Sequence, residues 1–232
     1  MIRFLFENDF EKLLREEAAR VNPSASTRVL NIACEFDLVP KWLPADIDPR
    51  NVSGLEINRE IVARVPQIKY CDVDRDRFPF EDGTFDLALS IWGLEHFQQD
   101  NIFRETGRVL KTGGTFLAVT PNFSHPIFLV SKFGGELLAS FYYRRILKSS
   151  YKPHRAYYRF NTARALSRAA EASGLSVASL TYFGPSSILG YFSFSPAVKR
   201  LVSWFEKRIL TNRFFYRFKP YLLVVFEKKT GS

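Results

Sequence analysis

The chain has 232 residues, 46% of them hydrophobic, and a formal net charge of +9 at pH 7. This length is sufficient for one sizeable core, and two cysteines are too few for a disulfide framework. No apolar run approaches the roughly 20 residues of a membrane-spanning helix. Acidic residues within the first apolar stretch do not fit a secretory leader, so we expect a cytoplasmic protein.

The charge is unevenly distributed along the chain. Residues 1–122 carry 15 Lys and Arg against 20 Asp and Glu. Residues 123–220 carry 16 against 3, and they hold 21 of the 36 aromatic residues. An acidic half is therefore followed by a basic, aromatic half, and we expect the two halves to meet different partners.

The apolar periodicity alternates between strand and helix patterns. Seven runs are typical of buried strands: 28–34, 52–58, 68–73, 85–92, 115–122, 176–183 and 221–229. Three amphipathic stretches predict helices: 7–20, 98–110 and 161–174. This order predicts an α/β protein with a Rossmann-like, seven-stranded, mostly parallel sheet and helices on both faces. Gly113 and Gly114 predict a turn before the fifth strand.

We expect one domain of residues 1–232. Its predicted parts are an N-terminal helix (1–27) and a cofactor-binding half (28–122). Two insertions (123–159 and 185–219) alternate with the final helix and the last strands (160–184 and 220–232). Between the first two strands, Pro40, Pro44 and Pro49 predict that any helix is short or distorted.

The two insertions, 123–159 and 185–219, are predicted to form a helical lid. Residues 127–148 and 197–210 each place apolar side chains on one helical face and basic side chains elsewhere. Such helices could cover the core of the domain, enclose a small-molecule or lipid-like substrate, or lie on an anionic membrane as a peripheral contact. Binding of nucleic acid is less favoured, since no RNA-binding module is visible. The sequence gives no oligomeric state.

The cysteines and histidines do not indicate a metal site. Cys34 and Cys71 are far apart and in no zinc-binding spacing, so buried thiols are expected. The three histidines are scattered along the chain, and we assign no metal.

Two long motifs carry a resemblance to a known family. FPFEDGTFDLALSIWGLEHF (78–97) and ETGRVLKTGGTFLAVTPN (105–122) resemble the methyltransferase type 11 group of class I S-adenosylmethionine-dependent methyltransferases. The stretch HRAYYRFNTARALSRAAEASGL (154–175) resembles a later helix of the same proteins. The resemblance is strongest over residues 28–122 and implies methyl transfer with S-adenosylmethionine as cofactor.

The resemblance also implies where the cofactor is held, beyond the carboxyl ends of the first strands. Glu56 matches the acidic residue that binds the ribose hydroxyls, and Ile57 follows it. Asp72 or Asp74 matches the acid beside adenine. Three residues at the end of the fourth predicted strand would lie near the methyl donor: Ser90, Ile91 and Trp92.

The first loop departs from the family pattern. The family has an acid followed by alternating glycines, where this sequence reads Asn31-Ile32-Ala33-Cys34-Glu35-Phe36-Asp37. The resemblance implies cofactor contacts for four residues of this loop: Asn31, Ala33, Cys34 and Glu35. Glu35 would bring a carboxylate near the carboxylate of the cofactor. Either the loop binds the cofactor in a shifted way, or the domain has lost the cofactor.

His96 is the candidate general base or substrate-orienting residue, because imidazole can accept the proton of a hydroxyl at neutral pH. The alternative is a structural histidine bonded to backbone. Glu95 is a weaker candidate in the same place, and His125 and His154 could line a substrate mouth. We expect a methyltransferase for a small-molecule or lipid-like substrate; the alternatives are a catalytically degenerate binding or scaffold protein and an RNA methyltransferase.

Overall fold

The computed structural model describes residues 2–4, 10–35, 37–125, 155–184 and 217–229, together with positions 196, 197, 200 and 204. Eight strands lie within these residues: β1 (Ile2–Phe4), β2 (Val29–Ile32), β3 (Val52–Glu56), β4 (Ile68–Tyr70), β5 (Phe85–Ile91), β6 (Leu110–Pro121), β7 (Leu175–Phe183) and β8 (Tyr221–Lys228). The α-helices with defined bounds are α1 (Phe10–Ala19), α2 (Arg59–Arg64), α3 (Asn101–Val109) and α4 (Ala163–Glu171). Single 3₁₀ turns occupy Pro49–Asn51 and Leu94–His96.

The strands form one sheet in the order β1-β7-β8-β6-β5-β2-β3-β4. All neighbouring strands are parallel except β8, which runs antiparallel to both β6 and β7. The predicted Rossmann-like, mostly parallel sheet is therefore confirmed. The seven predicted strands are present, and β1 adds a short edge strand that three residues are too few to signal.

Helices cover both faces of the sheet, as the sequence predicts. On one face, α3 and α4 pack through apolar side chains such as Phe103 and Leu166. On the other face, α1 and α2 pack through Leu14 and Ile61. The sheet between them contributes alternate residues to each side, with Ala88 of β5 on the first face and Leu89 on the second. The result is a three-layer arrangement with the sheet in the middle.

The segment between β2 and β3 replaces the usual crossover helix. Between Ile32 and Val52, the described residues contain no α-helix, which confirms the effect predicted for the three prolines. Instead the segment buries a set of apolar side chains against α1 and the sheet: Leu38, Trp42, Leu43 and Ile47. Irregular backbone therefore covers this face where a helix would otherwise lie.

The glycine pair before the fifth predicted strand has a different role from the one predicted. The strand begins earlier, at Leu110, and both glycines lie inside it. Phe85 pairs with Leu110 and Leu87 with Thr115, so the pairing shifts around the glycines. Gly113 has a φ of 75°. A Cβ on Gly114 would lie 2.8 Å from the Lys111 carbonyl oxygen, so only glycine fits this bulge.

Most of the two predicted insertions lies outside the described residues, and so do His154 and, apart from positions 197, 200 and 204, the basic amphipathic helices of the predicted lid. Within the described part of the chain, no helix has both the length and the apolar character needed to cross a membrane.

Candidate functional site

The order in which the chain adds strands to the sheet reverses between β2 and β5. Strand β2 pairs with β3 on one side and with β5 on the other, so the chain moves outward from β2 to β4 and then returns to the opposite side. In open α/β sheets, ligands bind in the crevice outside the carboxyl ends of the strands at such a point. The fold alone therefore directs attention to the residues that follow β2, β3 and β5.

Exposed apolar side chains gather along this same edge. Outside the isolated position Trp204, the large hydrophobic residues exposed in the described residues are Val39 (37%), Ile57 (57%), Tyr70 (39%) and Trp92 (37%). They lie in the segment after β2, directly after β3, at the end of β4 and directly after β5. Ile57, Tyr70 and Trp92 thus offer apolar surface at the carboxyl ends of three neighbouring parts of the sheet, where a ligand would bind.

The loop after β2 has the backbone of a glycine loop without the glycines. Ala33 has a φ of 56° and Glu35 a φ of 45°. Residues with a side chain rarely adopt this left-handed region, because Cβ approaches the following carbonyl oxygen, at a cost of about 1–2 kcal/mol per residue. The two residues occupy positions where the family pattern has glycine, so the loop keeps the glycine shape and adds side chains to it.

Asn31 and Cys34 hold this loop from inside. The Asn31 side-chain amide donates to the carbonyl oxygens of Asp37 (2.9 Å) and Leu38 (3.1 Å). The Cys34 side chain packs over Gly54 of β3, where a Cβ would lie 2.8 Å from its sulfur. Burial, with a smaller contribution from the carboxylate of Glu56, raises the pKa of the Cys34 thiol to about 12. Cys34 is therefore a packing residue with an unreactive thiol.

Glu56 joins the ends of β2 and β3. Its carboxylate is 6% exposed and accepts hydrogen bonds from the backbone amides of Glu35 (3.0 Å), Ile57 (2.8 Å) and Asn58 (3.0 Å). A carboxylate has about four lone-pair positions, so these three donors fix its orientation and leave capacity for a hydroxyl donor. The same contacts attach the left-handed loop to β3.

The two acidic candidates after β4 have different partners. Asp74 accepts from the backbone amides of Gln98 and Gln99, each at 3.0 Å, and so anchors the segment before α3. Asp72 accepts from the Asp74 amide at 3.1 Å within its own turn. Asp74 is thus occupied as a structural anchor, and Asp72 is the better placed of the two to meet a ligand.

The end of β5 contains a buried hydroxyl without a hydrogen-bond partner in the described structure. Ser90 is fully buried, and its Oγ accepts and donates nothing. A Cβ on Gly93 would lie 2.8 Å from that oxygen and 3.5 Å from the Cβ of Ala33. An unsatisfied buried hydroxyl is costly, and a bound molecule or water that donates or accepts there would remove the cost. Ser90 therefore places a buried hydroxyl without a partner in the described structure next to the glycine-free loop.

Trp92 begins an aromatic cluster that sequence analysis did not identify. The residue has a φ of 61°, which is a strained conformation for a large side chain. Its ring lies 5.4 Å from that of Phe10 and 4.8 Å from that of Tyr221, and Phe183 contacts both of those rings. The four residues are distant in sequence, so the only available signal is that three of them lie at strand ends.

His96 lies in the 3₁₀ turn after β5. Its Nδ1 donates to the carbonyl oxygen of Arg155 at 2.8 Å, as the alternative structural interpretation predicts. Because a carbonyl oxygen can only accept, the proton of the neutral ring is on Nδ1, and Nε2 has the basic lone pair. The backbone contact and a role as base are therefore compatible.

Glu95 and His125 are both affected by burial. Glu95 is 7% exposed, and burial raises the pKa of its carboxyl from 4.5 to about 7. Burial lowers the pKa of His125 from 6.5 to about 4, so this ring is neutral at physiological pH. Among the residues that the structure describes, no group of three or more His, Cys, Asp or Glu side chains could hold a metal ion.

The residues around the switch point suit the nucleoside part of a ligand better than the part that would lie against the loop after β2. Glu56 can accept from a hydroxyl, Ile57 offers an apolar surface to a flat ring, and Ser90 offers a hydroxyl. The bulk and charge of Glu35 alter the part of the site that glycines would leave open. Of the sequence-predicted residues, Asn31, Cys34 and Asp74 are directed into structural contacts.

Comparison with known proteins finds similarity over the same region. Residues 30–118 match a family model described as a methyltransferase domain. The sterol 4-C-methyltransferase of Caenorhabditis elegans is 38% identical over 112 residues, which are 43% of this chain and 33% of that protein. The ubiquinone/menaquinone biosynthesis C-methyltransferase of Haemophilus ducreyi is 35% identical over 82 residues, 34% of this chain and 31% of that protein.

The match thus spans about a third of the length of these relatives. Among solved structures, an S-adenosylmethionine-dependent methyltransferase from Mesorhizobium loti is similar with a TM-score of 0.53. The similarity covers 91% of this chain and 96% of that chain at 19% sequence identity. At this identity it concerns the fold.

Proposed function

We propose that this chain transfers a methyl group to a small-molecule or lipid-like substrate. Its residues 30–118 form a methyltransferase domain of the type 11 group within the class I S-adenosylmethionine-dependent enzymes. The observation that carries the proposal is the retained shape of the loop after β2. Ala33 and Glu35 keep the left-handed backbone, and Glu56 binds the amide of Glu35 at 3.0 Å.

Retention of that shape supports a functional cofactor site over a degenerate one. Two strained residues cost the chain stability, and local strain concentrates where function requires it. We propose that Glu56 accepts from ribose hydroxyls, that Ile57 lies against the adenine, and that Asp72 lies at its edge. Ser90, Ile91 and Trp92 would line the methyl-donor side, and Ala33 and Glu35 the remainder.

The protein contributes mainly orientation and one proton acceptor to the reaction. When bound, S-adenosylmethionine supplies a sulfonium, from which the methyl group is readily transferred. Alignment of the substrate with this methyl group provides much of the rate. His96, with its proton fixed on Nδ1, would accept the substrate proton at Nε2.

An apolar substrate fits the character of the surrounding edge. Ile57 and Trp92 are exposed there, directly after β3 and β5. The relatives with the sequence matches above are named for sterol and for ubiquinone or menaquinone chemistry. These names support a lipid-like substrate for this chain as well. The basic excess of residues 123–220 supports a second partner, an anionic membrane surface on which such a substrate would be met.

The proposal is tested by isothermal titration of the purified chain with S-adenosylmethionine and S-adenosylhomocysteine. We expect micromolar affinity in the wild type and at least about tenfold weaker binding in Glu56→Gln, since a charge-assisted acceptor is lost. Glu60→Gln is the matched control, because Glu60 is exposed four residues further on, in α2. Its affinity should equal that of the wild type.

No binding by the folded wild type at millimolar ligand would overturn the proposal and favour the scaffold alternative. Salt-dependent binding to RNA without cofactor binding would favour the nucleic-acid alternative. Thermal unfolding of each variant separates loss of a ligand contact from loss of the fold, which matters because Glu56 also binds three backbone amides.

A further inference from the structure

Residues 155–161 are attached to the turn that carries His96. The backbone carbonyl of Glu95 accepts from the amides of Tyr157 (2.7 Å) and Tyr158 (3.2 Å), and the His96 ring donates to the carbonyl of Arg155. Arg159 extends the contact with an ion pair to Asp100 at 3.1 Å. We call residues 155–161 the strap. This hydrogen bond from His96 Nδ1 links the orientation of the imidazole ring to the position of the strap.

A buried polar chain holds the far end of the strap. The Asn161 side-chain amide donates to the hydroxyl of Thr120 (2.6 Å) and to the carbonyl of Pro121 (2.8 Å). The Thr120 hydroxyl in turn donates to the Glu95 carboxyl at 3.3 Å. All three side chains are buried, with Thr120 and Asn161 fully inaccessible. The chain therefore connects the strap, the end of β6 and the turn after β5.

Resting on the proposed function for the role of His96 as base, we propose that Glu95 is a positioning residue, which acts through Thr120 and Asn161 to keep the strap on the turn and the His96 proton on Nδ1. Glu95 does not contact the substrate in this proposal. Glu95 is linked to the strap in two ways. Its backbone carbonyl accepts from two strap amides, and its carboxyl is connected to Asn161 through the Thr120 hydroxyl.

The cost of burying Glu95 favours a specific role for it. A buried carboxyl without an ion pair is expensive, and an apolar residue would fill the same volume without that cost. The directional hydrogen bonds among Asn161, Thr120 and Glu95 restrict the arrangement of the elements they join. Here the elements are two loops that apolar packing alone would leave free to slide, since hydrophobic contacts are not directional.

The test is the tautomer of His96 in the full chain without cofactor or substrate, read from ring ¹⁵N chemical shifts. His96→Asn assigns the signals among the three histidines. We expect the Nδ1–H form to dominate in the wild type and its ratio to the Nε2–H form to fall about tenfold in Thr120→Val, which removes both hydroxyl bonds.

Thr106→Val is the matched control. Thr106 is also fully buried, in α3, and its hydroxyl has no partner in the described structure, so the same change there should leave the ratio unaltered. Thr120→Ser keeps the hydroxyl and should restore the wild-type ratio. An unchanged ratio in folded Thr120→Val would overturn the proposal. If that variant does not fold, Glu95→Met tests the same proposal, because it removes the other end of this series of hydrogen bonds.

Kinetics add a second readout. If His96 acts as base, kcat of Thr120→Val should fall at least about tenfold while cofactor affinity stays within about twofold, because only the proton acceptor is misplaced. A tautomer that shifts in a protein that never binds cofactor would leave the positioning role intact and remove the proposed function. The two failures are therefore distinguishable.

Discussion

At the scale of single residues, the left-handed conformations of Ala33 and Glu35 have a direct stability consequence. Glycine at either position would relieve about 1–2 kcal/mol of backbone strain and cost about 0.5–1 kcal/mol in unfolded-state entropy. We therefore predict that Ala33→Gly and Glu35→Gly each raise the free energy of unfolding by about 0.5–1 kcal/mol. Urea denaturation measures the change.

The control for these variants is an exposed alanine in the ordinary helical region. Ala172, with a φ of −66°, ends α4 and is exposed. Ala172→Gly should lower the free energy of unfolding by about 0.5–1 kcal/mol. If all three variants lose stability equally, the left-handed conformations carry no strain and the support that they give to the cofactor site disappears.

The raised pKa of Glu95 predicts a pH dependence of stability. Between pH 4.5 and pH 7, the unfolded carboxyl loses its proton while the folded one keeps it. The folded state then binds more protons, so the free energy of unfolding falls as pH rises through this range, by about 3 kcal/mol in total. Glu95→Gln removes this contribution.

The quantity to measure is the difference in unfolding free energy between wild type and Glu95→Gln at several pH values. His125 acts in the opposite direction, since its lowered pKa makes stability rise with pH between about 4 and 6.5. Because both proteins contain His125, the difference cancels its effect. A difference that stays constant from pH 4.5 to pH 7 would show that Glu95 ionises normally.

At the scale of elements, the loop after β2 and strand β3 meet at Gly54. A Cβ there would lie 2.8 Å from the Cys34 sulfur and 2.9 Å from side-chain carbons of both Leu38 and Ile68. We predict that Gly54→Ala lowers the free energy of unfolding by about 1–3 kcal/mol through overpacking. Cys34→Ala in the same chain should recover part of that loss, because it removes one of the three contacts.

Gly83 separates this packing effect from a backbone effect. It has a φ of 63°, and no heavy atom of the described structure outside its chain neighbours lies within 4 Å of an added Cβ. Gly83→Ala should therefore cost only the conformational strain, about 1 kcal/mol, and Cys34→Ala should not change that cost. Equal rescue of both glycine variants by Cys34→Ala would contradict the packing explanation.

Much of the element order could be predicted, because strand and helix periodicities differ and the parallel strands are continuous apolar runs. Short elements gave no such signal. The three residues of β1 and the six of α2 are too few for a period, and α2 is marked only by the Asn58 cap that accepts from the Glu60 amide. The glycine pair predicts a turn where the structure has a bulge within β6, since both features need glycine at positive φ.

The site was predictable in location but less so in detail. Parallel strands bring residues such as Glu56 and Ser90 to one edge, and that follows from their sequence positions alone. The anchoring role of Asp74 depends on the amides of Gln98 and Gln99, about 25 residues away, for which no local pattern exists. The aromatic cluster around Trp92 likewise needs the three-dimensional sheet order.

At the scale of the whole molecule, the uneven charge predicts membrane behaviour. Residues 123–220 have 16 basic and 3 acidic residues. We predict that the chain co-sediments with vesicles containing phosphatidylglycerol at low salt and is released as salt increases, because screening weakens this attraction. Vesicles of phosphatidylcholine alone are the control. Equal binding to both vesicles, insensitive to salt, would refute an electrostatic membrane contact.

The glycine-free loop also bears on how a ligand binds. Glycine-rich loops have many conformations when empty and lose them when a ligand orders the chain. A loop with Ala33 and Glu35, fixed by Asn31 and by the carboxylate of Glu56, has already lost that freedom on folding. The strained loop is thus already ordered before a ligand binds. Ligand binding to the wild type should therefore carry a smaller entropic penalty than ligand binding to Ala33→Gly.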